Sequence, residues 1–276
     1  MKLPNITKKQ QDILKLLYTY RYLDRKQIQL AMNHADKRRV ISWLKDLREK
    51  DYVQWIYSTD FIEKTKPAIY YLGINGIRYL KALDQYPIEE LRKRYKDASR
   101  SRTFIDRSML VAECCLSLRT INTSDASKAS RATFDYIPET VYINPDHEYH
   151  FLAEHEVLRP NLCIVKHDKR GAVTANYLLE IFDSSLPRYR MRYRLKKYVT
   201  YLEDEEWEGD DDDPAPIILL VCPSVTDLIY AKRSTKKLIE DTYEDDLHIR
   251  FTTTELLRGG GITAKLWEEG RLRYGL

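Results

Sequence analysis

Asn161 and Glu180 are the two residues of this 276-residue chain whose placement most suggests catalytic chemistry. Asn161 ends the polar step Arg159-Pro160-Asn161, directly ahead of the apolar run Leu162–Val165, and Glu180 lies inside the next apolar run, Tyr177–Phe182. A polar side chain at the mouth of one buried strand and a carboxylate within the next is how several nucleases seat the ligands of a catalytic divalent metal. Mg²⁺ is a hard cation that favours anionic carboxylates, whereas Asn161 offers only a neutral carbonyl. Such a centre also needs a lysine two residues past the second acid, to steady the attacking water or the developing charge. That place is Phe182. Lys196 or Lys197, in the segment that follows, could substitute, with Glu156 or Asp183 as further acids. One carboxylate is absent and the lysine is displaced, so the charge that metal-ion catalysis requires is incomplete. The expectation is therefore a vestigial site of Asn161, Glu180, Lys196 and Lys197, with no catalysis, cofactor or metal. Mg²⁺ enters only if the chain is an active endonuclease using Glu180.

The other catalytic patterns are weaker. His147 and His150 form a His-x-x-His pair on a polar, Pro-containing stretch with His155 nearby, but zinc needs three or four ligands and no clear third one accompanies them. "LRGGGIT", Leu257–Thr263, lacks the Gly-Lys-Ser/Thr of a phosphate loop and reads as a turn. Cys114, Cys115, Cys163 and Cys222 lie in apolar surroundings with no Cys-x-x-Cys spacing, the pattern of buried thiols in a reducing cytosol. No apolar run approaches the roughly 20 residues of a membrane helix, and "MKLPNITKKQ" lacks the apolar segment of a signal peptide. A soluble cytoplasmic protein, with no membrane contact, is expected.

A second kind of chemistry, attraction to phosphate, is written in the charge distribution. Residues 1–100 hold 22 Lys+Arg against 12 Asp+Glu, a net of +10, while residues 101–276 hold 24 against 30, a net of −6. The basic part is the nucleic-acid candidate. Part of the later acidity is local: Glu203–Asp213 packs nine acids into eleven residues, a self-repelling run expected to be a solvated loop.

The basic residues need elements to carry them. Thr7 stands three residues before Gln10, a capping-box pattern, and Ile13, Leu14, Leu17 and Tyr20 follow at helical spacing. Asp24 precedes a short second helix, Arg25–Met32, which "NHA" breaks. Asp36 can cap a third, Lys37–Lys50, with Val40, Leu44 and Leu47 buried and Arg38, Ser42 and Lys45 on the opposite face, flanked by Lys37 and Arg48. "YVQWIYSTD" and "KPAIYYLG" are rich in β-branched and aromatic residues and predict a hairpin, with Lys64 and Lys66 at its tip. "INGIRYLKAL" predicts a fourth helix. Tyr86–Arg102 is highly charged with few apolar positions and reads as a linker helix.

Beyond it, the pattern predicts a buried helix over Phe104–Ile121, strands within 133–143, 148–165 and 175–185, and a basic helix over Arg188–Leu202 with Met191, Leu195, Tyr198 and Leu202 inward. The strand "PIILLVCPS", a helix through Asp227–Tyr243 and the strand "LHIRFTT" follow. Helix, three strands, helix, strand is an α/β core with helices over a central mixed sheet. The expected domains are 1–85, a linker at 86–102, and 103–276.

The N-terminal order resembles a winged helix-turn-helix domain, and "YYLGINGIRYL" looks like the strand-to-helix exit common to many bacterial members. In such modules the third helix enters the major groove and the wing touches the backbone or minor groove. Together with "LRPN", "LLEI" and "RLKKYVTYL", the order of elements resembles the replication-relaxation family of bacterial plasmid and mobile-element proteins. Its members similarly join a winged helix to a domain that looks like the PD-(D/E)XK restriction-endonuclease fold. Where the family commonly shows Arg-Pro-Asp, Leu-Glu-x-Asp and a Lys-x-x-x-Tyr-like helix, this chain has Arg159-Pro160-Asn161, Leu179-Glu180-Ile181-Phe182-Asp183, and Lys196 or Lys197 before Tyr198 and Tyr201.

The resemblance implies a winged helix followed by a degenerate nuclease-like domain, bound to double-stranded DNA in a plasmid or nucleoid setting. It implies a role in replication, conjugative transfer or transcription regulation, with a homodimer and replication or transfer proteins as candidate partners. Arg38, Ser42 and Lys45 are the side chains placed to reach base edges, with Lys37 and Arg48 beside them as further DNA-binding residues and Lys64 and Lys66 at the wing. Two rival readings are the active nuclease and a protein-docking module, the latter using the acidic run and the 21 tyrosines.

Overall fold

The computed structural model describes residues 3–57, 66–123, 136–143, 158, 160–167, 173–203, 214–240 and 248–269. The chain divides into two compact units, Met1–Leu116 and Ser117–Leu276.

In the first unit, α1 (Lys8–Tyr20) begins at the predicted capping box, Thr7 and Gln10 satisfying each other's backbone amides. Its apolar stripe, Ile13, Leu14, Leu17 and Tyr20, is buried. A two-residue strand β1 (Leu23–Asp24) leads into α2 (Arg25–Ala31), where Asp24 accepts from the Gln27 amide. Asn33 then takes φ +46°, a left-handed conformation that asparagine tolerates and that stops the helix. The third helix, α3 (Lys37–Glu49), is capped by Asp36, whose Oδ1 accepts from the Arg38 amide at 2.8 Å. The hairpin β2 (Val53–Ile56) and β3 (Ile69–Leu72) follows, then α4 (Ile74–Ala82). The sheet order is β1-β3-β2, all antiparallel. Helix, short strand, helix-turn-helix and hairpin make a winged helix. The strand β1, too short to show periodicity, was not foreseen.

Gly73 and Gly76 of "YYLGINGIRYL" explain that exit. A Cβ at Gly76 would overlap the Tyr52 carbonyl oxygen, and one at Gly73 would lie 2.5 Å from that of Asp51. Two bare α-carbons let the start of α4 lie directly on the backbone entering β2.

Residues 86–102, read from the sequence as a linker helix, are helical in part. They carry α5 (Ile88–Arg94) and a 3-10 turn, Asp97–Ser99, packed within the first unit. Arg21, at φ +68°, donates Nε to Asp97 Oδ1 at 2.8 Å, and neither side chain reaches solvent. Tyr22 Oη donates to the Asp97 carbonyl at 2.8 Å, and Leu91 and Arg94 are buried beside them. Opposite charges that neutralise each other can be buried together. The division falls inside α6 (Arg102–Thr123), whose Phe104, Ile105 and Met109 join Tyr22, Ile69 and Tyr71 in the core of the first unit.

The second unit is the expected α/β core. Its sheet runs β4 (Tyr136–Ile143), β5 (Leu162–His167), β6 (Val173–Ile181), β7 (Ile217–Cys222), β8 (Ile249–Thr253) and β9 (Glu268–Glu269) in spatial order. Pairs β4/β5, β5/β6 and β8/β9 are antiparallel, and β6/β7 and β7/β8 are parallel. The helices α7 (Arg188–Glu203) and α8 (Val225–Glu240) join the parallel strands. Met191, Leu195 and Tyr198 pack with Leu178, Ile218, Leu220, Leu228 and Phe251, as the helical stripe predicted. "LRGGGIT" is more than a turn: α9 (Thr254–Gly260) runs through its first two glycines and ends at Gly261, φ +76°. All four cysteines are buried thiols, and burial pushes Cys222 up to about 12. Among the described residues no helix is long and apolar enough to cross a membrane.

Candidate functional site

The exposed face of α3 follows from its buried one. With Val40, Leu44 and Leu47 turned inward, a period of 3.6 residues turns Arg38, Ile41, Ser42 and Lys45 to solvent, Lys37 beside them. Ile41, 43% exposed, was missed by the sequence reading, although an apolar residue out of phase with its stripe was the available signal. The acids of α3 hardly neutralise this face. Asp46 accepts from Gln10 Nε2 at 2.6 Å and Lys50 Nζ at 2.8 Å, tying α1 to α3, and the Lys50 hydrogen bond holds its carboxyl below the usual range. Glu49 lies 3.8 Å from Lys45 across open solvent, a weak pairing.

Arg48 is placed differently from Arg38 and Lys45. Its guanidinium carbon sits 3.3 Å from the centre of the Trp55 ring in β2, and Trp55 stacks on Tyr57 at 5.6 Å and 25°. A guanidinium laid on an indole is held by cation–π attraction, which ties the end of α3 to the wing. Lys66 is exposed at the return of the wing, whereas Lys64 lies outside the described residues.

The second candidate, around Glu180, is closed. Alternation along β6 puts Leu178, Glu180 and Phe182 in line on one side, and Leu178 and Phe182 pack in the core with α7. Glu180 is buried, and its Oε2 accepts from Tyr198 Oη at 2.6 Å and from Arg194 Nη2 at 2.8 Å. Arg194 and Tyr198 are one helical turn apart, so both reach the same carboxylate from α7. Burial alone would lower the Arg194 pKa, but the facing Glu180 charge raises it on balance; burial and then Glu180 drive the Tyr198 phenol well above its usual value. The guanidinium stays charged and the phenol stays protonated.

Asn161 is also occupied. It is buried, its backbone N–H donates to the Leu179 carbonyl at 2.8 Å, and its side-chain Oδ1 accepts from the Ile181 backbone N–H at 2.7 Å. The side chain thus continues the β5/β6 ladder by one rung after Pro160. Lys196 is exposed, and Lys197 lies with its Nζ 5.3 Å from the Tyr193 ring; Arg194, not either lysine, meets Glu180. Asp183 Oδ1 accepts from the Ser185 amide and hydroxyl in a local turn. Glu156, His147, His150, His155 and the acidic run beyond Glu203 lie outside the described residues.

These residues do not fit a divalent cation. The carboxylate already meets a cation and a phenol, the Asn161 carbonyl is spent on backbone, and Phe182 fills the lysine position with ring. Among the described residues no three His, Cys, Asp or Glu side chains gather to hold a metal. The sequence reading found Asn161 and Glu180 but missed Arg194, whose signal was its i, i+4 spacing from Tyr198.

Neither a family model nor a curated protein matches the chain. Among solved structures, the adhesin competence repressor AdcR from Streptococcus pyogenes is similar over 34% of this chain and 78% of its own, with 17% identity and a TM-score of 0.23.

Proposed function

We propose that this chain is a DNA-binding protein that reads duplex DNA through α3 of its winged helix and has no catalytic activity of its own. One observation carries the reading: α3, the second helix of the helix-turn-helix, presents Lys37, Arg38, Ser42 and Lys45 on its exposed face with little acid beside them. Arg38 and Lys45 reach base edges, Ser42 hydrogen-bonds to either strand, and Ile41 offers an apolar contact to a thymine methyl. Lys37 meets phosphate. Arg48, Lys66 and Lys64 supply the wing side of the footprint. The hydrogen bonds of Arg194 and Tyr198 to Glu180 support a reading without catalysis at that carboxylate. Motif resemblance supports a plasmid or mobile-element setting, with replication, transfer or transcription control as the process, a cytoplasmic location, and a homodimer on paired half-sites.

The test begins by selecting bound sites from a randomised duplex pool. Replacing Arg38 and Lys45 with Ala should remove specific binding while the fold stays intact, with about 1–3 kcal/mol lost for each bidentate base contact. Replacing Lys64 and Lys66 with Ala should weaken all sequences alike and flatten the salt dependence by about one phosphate per lysine. Unchanged affinity of the α3 double variant for its selected site rejects the reading.

A further inference from the structure

The second unit is acidic overall, yet α7 holds Arg188, Arg190, Arg192, Arg194, Lys196 and Lys197 against the single acid Glu203. Two of these cations are committed: Arg194 to Glu180, and Arg188 to Asp227 at 3.6 Å. Among the described residues no carboxylate pairs with Arg190, Arg192, Lys196 or Lys197. The buried stripe of Met191, Leu195, Tyr198 and Val199 anchors the helix, so the opposite face is fixed outward. That face carries Tyr189, 67% exposed, and Tyr193, 63% exposed, one turn apart. Each ring has a cation at its side: Arg190 Nε donates to Tyr189 Oη at 3.3 Å, and Lys197 Nζ lies 5.3 Å from the Tyr193 ring centre.

We infer that this face of α7 binds single-stranded DNA. Cations with no acidic partner among the described residues, interleaved with exposed rings, match the make-up of a single-strand groove, in which charge tracks the phosphates and bases stack on aromatic faces. Duplex DNA would use the cations but hide its base faces. The geometry favours an unstacked strand as well, since residues four apart rise about 6 Å along a helix, against about 3.4 Å between neighbouring bases in a duplex strand. An acidic peptide would match the charge and leave both rings without a role. The inference does not depend on how α3 reads duplex DNA.

The experiment uses the full chain carrying Arg38→Ala and Lys45→Ala, so that α3 is silenced, with fluorescence anisotropy on a labelled oligothymidylate and on a duplex of equal length. Oligothymidylate should bind with the parent's affinity. Adding Tyr189→Ala and Tyr193→Ala should weaken the single strand about tenfold per ring and leave the duplex nearly unchanged. Replacing Arg190, Arg192, Lys196 and Lys197 with Ala should instead flatten the log–log salt slope by about 0.7 per cation. All six positions are exposed or half-buried, and circular dichroism checks that the variants fold. Three outcomes overturn the inference: no binding of oligothymidylate, binding insensitive to the tyrosines, or poly-glutamate bound as tightly as the oligonucleotide. Loss of duplex reading by the α3 substitutions with single-strand binding retained separates the two surfaces.

Discussion

The exposed face of α3 and the Glu180 centre are both built from charged side chains on well-anchored elements, yet they are opposite in what they can do. On α3, Lys37, Arg38 and Lys45 stand in solvent, with the capping Asp36 at the start of the helix and Glu49 3.8 Å from Lys45 as the acids nearby. Around Glu180, the anion and the phenol are buried, the Arg194 cation is half-buried, and the carboxylate accepts hydrogen bonds from both. Charge can recruit a partner only where the fold leaves it exposed and unneutralised. Where the fold closes a charge on its complement, the same residue types become part of the core. The motif that most suggested catalysis is thus tied into the core, and the face that carries no catalytic motif is the one left open to solvent.

The largest effect expected from breaking that contrast is on stability. Glu180→Ala leaves the largely covered Arg194 guanidinium without the Glu180 counter-charge, which costs up to about 3–5 kcal/mol, read as a fall in the unfolding temperature by calorimetry. Arg38→Ala and Lys45→Ala, in the same assay, should change stability by less than about 0.5 kcal/mol. Pairing Glu180→Leu with Arg194→Met should restore most of the loss, because apolar groups of similar volume leave no charge to solvate. A Glu180→Ala protein as stable as the parent would erase the distinction and return Glu180 to the list of groups held for chemistry.

A smaller effect belongs to Tyr198. Tyr198→Phe removes a hydrogen bond to a charged acceptor and should cost about 1.5–3 kcal/mol near neutral pH. It should also change the alkaline limb. The folded-state pKa of Tyr198 is raised above the usual 10.0, by burial first and Glu180 next. The native phenol therefore keeps a proton that the unfolded chain loses above pH 10. Its contribution is complete below that pH and is lost as pH rises further. Denaturant titrations from pH 9 to 11 should show the parent losing stability faster than the Phe variant. Parallel curves would mean that the phenol titrates alike in both states.

Asn161→Ala gives the mildest effect. It strips the Ile181 amide of its acceptor, a buried donor left unpaired, at about 1–3 kcal/mol. Hydrogen exchange at that amide should quicken well beyond its neighbours. Exchange unchanged at Ile181 would show that the side chain is not the rung it forms in the structure.

Much of the fold was legible because it is locally determined. The capping residues Thr7, Asp24 and Asp36 stand next to the helices they start, and the stripes of α1, α3 and α7 follow a period of 3.6 residues within a few turns. The exposed cations of α3 were legible as the complement of its stripe. The α/β core was legible as successive apolar runs, because parallel strands covered on both faces read as continuous hydrophobicity. Ile41 and Arg194 were equally local signals, passed over because each lies outside the pattern used to find its helix.

The pairings were not legible. Arg21 meets Asp97 across 76 residues of sequence, tying the end of the charged stretch to the turn after α1. Glu180 meets Arg194 and Tyr198 only because α7 covers the side of β6 that carries Leu178, Glu180 and Phe182, and because the turn of the helix presents positions 194 and 198 there rather than 196. Sequence by itself determined which residues lie on a shared face, since that depends on backbone periods of 3.6 and 2. Only the tertiary structure decided which faces meet, and with that which charges are neutralised, because solvation and Coulomb attraction are properties of neighbours in space.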